Sequence, residues 1–426
     1  FDILVFYLKV CSKGVLAVAW DSPRKTFTEQ FSLCFMIINY AKAYAILLKL
    51  YQEIPHRFFK GYSFPPLHYL LGLTYDCNID CTFCFEGRKD RLDQEELNLA
   101  EIKAIIDQVP FYGLMTYLGG EPFMHRNILE IIEYSAKNCK FSIVTNGLYN
   151  VEKNARLIVE KGIKTPLHNG MVEIAVSLVG LESLHDKVVQ MKSAYKKALE
   201  GLCRIRRFRD EANKRFPLIS IRVTILKENV TQLHELVQVS KDVGADICMF
   251  TLLNMQGNVY DPFPIHEYAK KFYQPPNVPP FIPEEILRKE FELIRENQKG
   301  SDLLIKYNPI GITEDAIVNY YSSKPSLRNF SCHQPWQKLM IQPNGDPMPC
   351  VLVKEGNLKT DTVSDIWNRR VVQDFRKVLK KEGVFPICFG CCALNYNSEE
   401  DSPPEKNNSR DRNAKPESMR DLISQG

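Results

Sequence analysis

Strong charge of either sign is missing from this chain of 426 residues. Lys and Arg number 55 against 51 Asp and Glu, a net charge of +4 spread along the length. So small a surplus does not argue for nucleic acid or an acidic membrane as main partner. A clean membrane-length apolar run is missing as well. The most apolar stretch, 31–50, carries Lys42 near its middle and Lys49 near its end. A charge at mid-bilayer costs about 2.5–3.5 kcal/mol on insertion scales, so no membrane span is expected there. An amphipathic helix packed on the body of the protein is the expectation instead. The first twenty residues are apolar but include Asp2, Lys9 and Lys13, with no clear small-residue cleavage site. No internal repeat is present beyond a strand–helix rhythm. With 45% hydrophobic and 25% charged residues, the composition excludes collagen-like, coiled-coil and wholly disordered classes. The length suggests two or three domains.

Cysteine is plentiful. There are 13, an odd number in a long chain, which argues against a small secreted disulfide scaffold. Seven fall in two groupings, which points to metal in a reducing compartment. Residues 1–60 read as a helical lead-in. From 67 onward, apolar strands at 67–74, 114–118, 141–145, 172–178, 219–226 and 247–253 alternate with helical segments. Those segments are 93–108, 127–137, 151–161, and parts of 193–213 and 230–243. Such alternation predicts a parallel α/β architecture over 61–253. Six units without a seventh or eighth fit an open, partial barrel or a doubly wound sheet, and periodicity alone does not choose. Residues 254–331 break the rhythm with Pro262, Pro264, Pro275, Pro276, Pro279, Pro280 and Pro283, and predict a linker or insert with one helix at 284–298. Beyond Cys332, the run 338–342, the turn Pro343-Asn344-Gly345-Asp346 and a short return to Cys350 predict a hairpin. A helix at 363–380 follows, with Trp367 and Phe375 as core residues. A small C-terminal α+β domain is thus expected over 332–396, and a disordered polar tail over 397–426.

The sharpest chemical signal is Cys77-Asn78-Ile79-Asp80-Cys81-Thr82-Phe83-Cys84, on the loop after the first strand. Three thiolates so spaced suit three corners of a cubane iron–sulfur cluster, leaving one iron open. A zinc site is the rival reading, but it wants a fourth ligand, and the nearest upstream histidine, His68, sits inside a strand. The loop lies at the C-terminal end of a strand, the functional face of a parallel barrel. The next strand ends in Gly119-Gly120-Glu121-Pro122, where the glycines allow a backbone to approach a ligand closely.

These residues resemble radical S-adenosylmethionine (radical SAM) enzymes. Cys77, Cys81, Phe83 and Cys84 match that family's cysteine motif, aromatic included, and Gly119, Gly120, Glu121 and Pro122 match its second motif. The resemblance covers about 67–253. It implies a partial (β/α)6 TIM-type barrel, a 4Fe–4S cluster on three cysteines, and SAM on the open iron. One-electron cleavage would yield a 5′-deoxyadenosyl radical that abstracts hydrogen from a substrate carbon. Strand alternation adds inward-facing residues: Arg222 on strand five, and Glu173 and Ser177 on strand four. Against the resemblance, Arg222, Ser177 and Asn146 are candidate SAM contacts. Val188 and Val189 stand where many relatives carry an arginine. His333, Tyr117, His125 and His185 lie near the predicted face, with structural roles expected.

The second group is Cys332, Cys350, Cys388 and Cys391. Four thiolates close either a second 4Fe–4S cluster or a zinc ribbon, and chemistry alone leaves both open. Cys332-x-x-Pro335-Trp336, Gly345-x4-Cys350, Asp365-Ile366-Trp367 and Cys388-x2-Cys391 resemble the SPASM/twitch extension of radical SAM enzymes. The full pattern has seven cysteines and two auxiliary clusters. This sequence resembles the shortened one-cluster twitch form, with Cys392 as a substitute ligand for Cys391. Cys11, Cys34, Cys139, Cys203 and Cys248 are expected to be buried structural thiols. The resemblance implies an enzyme acting on a sugar- or aminocyclitol-type small molecule or a peptide, fed by a low-potential reductant such as flavodoxin or ferredoxin, in the cytoplasm. The alternatives are a two-cluster electron-transfer or redox-sensing protein without SAM cleavage, and a zinc-stabilised binding protein.

Overall fold

The structure is a computed structural model that describes residues 47, 50–84, 95–165, 168–254, 279–322, 327–385, 388 and 390–397. Most of the lead-in, Lys42, Cys11, Cys34, the prolines from Pro262 to Pro276 and the tail lie outside the described residues.

Strands covered on both faces read as near-continuous Val, Ile and Leu runs, and these runs form one sheet. Its strands are β1 (His68–Gly72), β2 (Leu114–Leu118), β3 (Lys140–Thr145), β4 (Gly170–Ser177), β5 (Leu218–Thr224) and β6 (Ile247–Thr251), each parallel to the next. The connecting helices are α1 (Leu99–Ile106), α2 (Ile128–Asn138), α3 (Val151–Glu160), α4 (Glu182–Val189), α5 (Ala194–Glu211) and α6 (Leu233–Asp242). α1 starts where Asn98 accepts from the N–H groups of Ala100 and Glu101 while Glu101 reaches back to Asn98 N–H. Such a capping box is worth about 1 kcal/mol.

The rhythm does not stop at β6. After α7 (Glu284–Gln298), β7 (Leu304–Asn308) adds a seventh strand parallel to β6, and α8 (Glu314–Ser322) follows. β7 reads Leu-Ile-Lys-Tyr-Asn, short and half polar, and was therefore indistinguishable from a connector by pattern. At the other edge, β9 (Lys338–Ile341) pairs parallel with β1, and β10 (Pro347–Met348) folds back on β9. The order is β10-β9-β1-β2-β3-β4-β5-β6-β7, and no ladder joins its two edges among the described residues. The six-unit core is thus present within an open, mostly parallel sheet, with β7 added at one side and the β9–β10 hairpin at the other.

The outward face carries Tyr69, Leu71, Met115, Tyr117, Ile143, Ile174, Val176, Ile221 and Phe250, buried in one core under the helices. The C-terminal part has its own core of Trp336, Leu352, Val353, Val372, Phe375, Leu379 and Phe385. The helix expected at 363–380 is two helices, α9 (Val363–Trp367) and α10 (Arg370–Glu382). The break lets Asn368 turn its side chain to Ser63, donating to Ser63 O at 2.9 Å and accepting from Ser63 N at 2.9 Å. A last two-residue pairing joins β8 (Phe330–Ser331) to β11 (Asn395–Tyr396), antiparallel, and draws Cys332 toward the final cysteines.

Candidate functional site

The cysteine loop leaves the sheet at the end of β1 and is fastened on two sides. On the first, Gly120 N–H donates to Thr74 O at 2.8 Å and Glu121 N–H to Asp76 O at 2.7 Å. A Cβ at Gly120 would lie 2.0 Å from Asp76 O, and one at Gly119 (φ +125°) 2.7 Å from Thr74 O. The two glycines therefore let the end of β2 touch the root of the cysteine loop. This is a nearer duty than the approach to a ligand expected of them. Glu96 adds a further tie, accepting from Tyr75 N–H at 2.6 Å and Thr74 Oγ1 at 2.8 Å.

On the second side, Asp80 N–H donates to Val189 O at 3.3 Å and Thr82 N–H to Val188 O at 3.1 Å. Ile79, Cys81 and Phe83 pack on Val179, Val188, Val189, Ala194 and Leu226. The two valines seat the loop through their carbonyls, and Phe83 is part of its apolar anchor. Cys84 N–H donates to Cys81 O at 3.1 Å, turning the loop on itself. Cys77 and Cys81 are half-buried and Cys84 is exposed, and none of them is in a disulfide.

Glu121 is fully buried, and its carboxylate accepts from Phe123 N–H at 3.1 Å, Thr145 Oγ1 at 2.6 Å and Asn146 N–H at 2.7 Å. Burial pushes its pKa up to about 7 against those bonds. It thereby fixes the end of β3 against the end of β2. Asn146, so held, donates from Nδ2 to Asn78 Oδ1 at 2.8 Å and to Cys77 Sγ at 3.7 Å. Asn78 was not singled out from the sequence, since a lone asparagine in a loop reads as a turn former.

The inner face of the sheet is polar. Pairing skips Val172, so that Phe141 faces Met171 and Ser142 faces Glu173; this bulge turns Glu173 inward. There Glu173 meets Arg222, Nη2 to Oε1 at 3.4 Å, as the alternation predicted. Glu173 Oε2, Ser220 Oγ and Arg222 Nε are buried without a partner. His68 Nε2, Thr116 Oγ1 and Ser142 Oγ form a chain at 2.8 and 2.7 Å on the same face. Ser177 ends β4 directly opposite Arg222.

The remaining candidates have structural partners. Tyr117 OH pairs with Ser135 Oγ at 2.5 Å, and His125 Nδ1 accepts from Asn127 N–H at 3.2 Å. His185 Nδ1 accepts from Val179 N–H at 3.2 Å. Asp186 accepts from Ser193 N–H and Tyr195 N–H at the start of α5.

The second cysteine group converges. Cys332, Cys350, Cys388 and Cys391 all belong to the C-terminal core around Trp336 and Phe385. Burial raises all four thiol pKa values, Cys332 to about 11 and Cys350 to about 12, and neighbouring thiols add to it for Cys350, Cys388 and Cys391. Four soft donors in one apolar shell, no three of them within 4.8 Å of one another, suit the wider span of a cluster better than a single metal ion. Cys392 is exposed as a residue, with its thiol close enough to act on the Cys391 thiol and within reach of the charges of Lys338 and Arg222. Cys139 and Cys248 are buried as expected, but Cys203 is exposed on α5.

Residues 71–239 match the radical SAM superfamily, and 332–392 match the SPASM iron–sulfur cluster-binding domain. Residues 71–239 thus form a radical SAM superfamily domain, and 332–392 a SPASM-type domain after it. The cofactors of these two domains are iron–sulfur clusters and S-adenosylmethionine. The chain is similar to Fe-coproporphyrin III synthase of Methanosarcina barkeri, 32% identical over 37% of this chain and 37% of that protein. The Bacillus subtilis antilisterial bacteriocin subtilosin biosynthesis protein AlbA is 23% identical over 73% of this chain and 61% of its own length. The chain thus spans from about a third to under two thirds of these relatives. The Streptococcus suis SuiB structure bound to precursor peptide SuiA shares the fold, with a TM-score of 0.53, 17% identity, and coverage of 81% of this chain and 72% of that one. No helix among the described residues is long and apolar enough to cross a membrane.

Proposed function

We propose that the chain is a radical SAM enzyme that modifies a peptide substrate. In this reading Cys77, Cys81 and Cys84 hold a 4Fe–4S cluster, and Gly119 to Pro122, Phe83, Asn146, Ser177 and Arg222 line the SAM site. Cys332, Cys350, Cys388 and Cys391 hold one auxiliary 4Fe–4S cluster. The observation that carries the reading is the convergence on Cys77: β2 through Gly120, β3 through Asn146 and α4 through Val188 all brace one three-thiol loop at the C-terminal edge of the sheet. The donor set fits, being three thiols on one loop with Cys84 exposed. When bound, the cluster and SAM would supply a carbon-centred radical that removes a hydrogen atom from the substrate. The chain's own residues would orient and shield. Glu121 and Asn146 hold the loop, and Glu173, Ser220 and Arg222 offer unpaired polar atoms inside the barrel. A peptide rather than a sugar- or aminocyclitol-type substrate is favoured because AlbA, by name a bacteriocin biosynthesis protein, aligns over 73% of this chain. A low-potential reductant such as flavodoxin or ferredoxin, and a cytoplasmic setting, follow from cluster chemistry of this kind.

The test is anaerobic reconstitution with iron and sulfide, then dithionite and SAM, with chromatography for 5′-deoxyadenosine. The Cys77→Ala, Cys81→Ala, Cys84→Ala triple variant runs alongside. Nucleoside from the intact protein alone is expected, with residual iron in the variant counting the auxiliary cluster. No nucleoside from the iron-loaded protein would overturn the reading. Stimulation by the peptide-sized fraction of a cell extract, lost after protease digestion, is expected for a peptide substrate, and stimulation that survives digestion would overturn that part.

A further inference from the structure

Outside the two cysteine groups, Glu53, His56 and His333 bring one ligand atom each to within 4.8 Å of the others. No second cluster of three His, Cys, Asp or Glu is this tight among the described residues. Glu53 and His56 stand three residues apart on the helical segment 50–58, so they share a face. His333 comes from the turn after β8, directly beyond Cys332. Its Nε2 lies 3.7 Å from Glu53 Oε1, and its ring centroid 4.5 Å from that of His56, at 70°. Trp336 closes the other side of His56 at 4.8 Å and 79°.

Each of the three has an atom to spare. Glu53 Oε2 accepts from Arg57 Nε at 2.8 Å, which leaves Oε1. His333 Nδ1 is held by the Asn395 amide at 3.1 Å, which leaves Nε2. His56 Nδ1 is shielded from solvent and has no partner. A ligand held at its far atom by an outer hydrogen bond is how metal-binding imidazoles and carboxylates are usually oriented. A plain hydrogen bond accounts for the group poorly. At 3.7 Å the Glu53–His333 pair is beyond hydrogen-bond range, and the His56 nitrogen stays unserved.

We propose that Glu53, His56 and His333 form a zinc site, distinct from both cysteine sites. Two imidazoles and a carboxylate are borderline donors that suit Zn²⁺, with a fourth position for water. Bond lengths of about 2.0–2.2 Å place tetrahedral ligand atoms roughly 3.3 Å apart, so Glu53 and His333 need to close by about 0.4 Å and no pair of the three by more than about 1.5 Å. Such an ion would staple the segment before the barrel to the C-terminal domain, next to Cys332.

The test uses the iron-loaded protein, whose thiols are already engaged, titrated with zinc sulfate by calorimetry. Zinc retained after gel filtration is then counted, and its ligands are read by X-ray absorption at the zinc edge. One zinc per chain with nitrogen and oxygen neighbours and no sulfur is expected. Glu53→Gln, His56→Ala and His333→Ala should each weaken binding by at least about tenfold, while the exposed His168→Ala should not. His333→Ala sits beside Cys332 and loses iron if the neighbouring site is disturbed. His56→Ala, with iron content and circular dichroism unchanged, then decides. Failure to retain zinc, leaving only a hydrogen-bonded group, overturns the proposal. So does sulfur in the zinc shell, or zinc binding that survives all three substitutions.

Discussion

The side-chain amide of Asn146, at the end of β3, donates to Cys77 Sγ at 3.7 Å and to Asn78 Oδ1 at 2.8 Å. Its own Oδ1 accepts from Leu148 N–H at 2.9 Å, and its backbone N–H is held by Glu121. An amide aimed at a ligating sulfur stabilises the thiolate and tunes the potential of a bound cluster. Asn146→Asp keeps the acceptor for Leu148 but replaces both donors with a negative charge beside the thiol. The expected result is a roughly 10–100-fold loss of 5′-deoxyadenosine formation, with less iron retained after gel filtration. Activity and iron equal to the parent would mean that the contact does nothing for the site.

Gly120 is where β2 and the cysteine loop touch. A methyl group there meets the Asp76 backbone oxygen at 2.0 Å, with the Asp76 carbonyl carbon at 2.6 Å, and backbone cannot swing away as a side chain can. Gly120→Ala must therefore push the loop out or part the two strands. The cost expected is on the order of 3 kcal/mol or more, the range of overpacked and strained sites. Urea midpoints of the cluster-free protein measure it. A shift under about 0.5 kcal/mol would show that the loop root yields easily.

Arg376 is a buried guanidinium with no carboxylate beside it. It stacks on Trp367 at 4.4 Å and donates to Pro335 O at 2.6 Å, Gly61 O at 3.0 Å and Asn368 Oδ1 at 3.0 Å. Burial brings its pKa down to about 9, so it stays charged at neutral pH. Its three acceptors come from the stretch before β1, the turn before β9 and the break between α9 and α10, so one side chain joins three segments. Arg376→Met keeps the stem but strands Pro335 O and Gly61 O, each worth about 1–3 kcal/mol when buried unpaired, and leaves Asn368 Oδ1 with Ser63 N–H alone. A loss of roughly 3–5 kcal/mol is expected in chemical denaturation. Arg376→Lys should recover only part of it, because one ammonium does not span the same acceptors.

The six core strands were legible because each carries its own apolar run, and the cysteine loop because its spacing is local. What escaped depended on pairing across the chain. β7 reads as a polar connector until it lies against β6. The hairpin at β9 was visible, but its seat beside β1 was not, since register between distant strands leaves no local mark. The inward aim of Glu173 was legible from its alternation with Ser177, but the bulge at Val172 preserves the apolar pattern and so hides. The break at Asn368 has no proline or glycine to announce it, and its reason, Ser63, lies far upstream. Glu53, His56 and His333 are three ordinary polar residues until the fold joins the two ends of the described chain.

His185 and Glu121 titrate in opposite senses. His185 is 2% exposed, and burial lowers its pKa to about 4 from 6.5, while its Nδ1 must stay unprotonated to accept from Val179 N–H. Its contribution is whole above about pH 6.5 and is lost as pH falls through about 4. The size is roughly 3 kcal/mol for a shift of this extent. Glu121, raised by burial from 4.5 to about 7, runs the other way: its contribution is whole below about pH 4.5 and is lost as pH rises through about 7, by a similar amount. Unfolding free energies of the cluster-free parent, His185→Gln and Glu121→Gln between pH 4.5 and 7.5 separate the two. The parent's advantage over His185→Gln should shrink as the solution is acidified. Its advantage over Glu121→Gln should grow over the same interval. Parallel curves for either pair would mean that the group concerned keeps its ordinary pKa in the folded protein, and that its hydrogen bonds rather than its burial decide its charge.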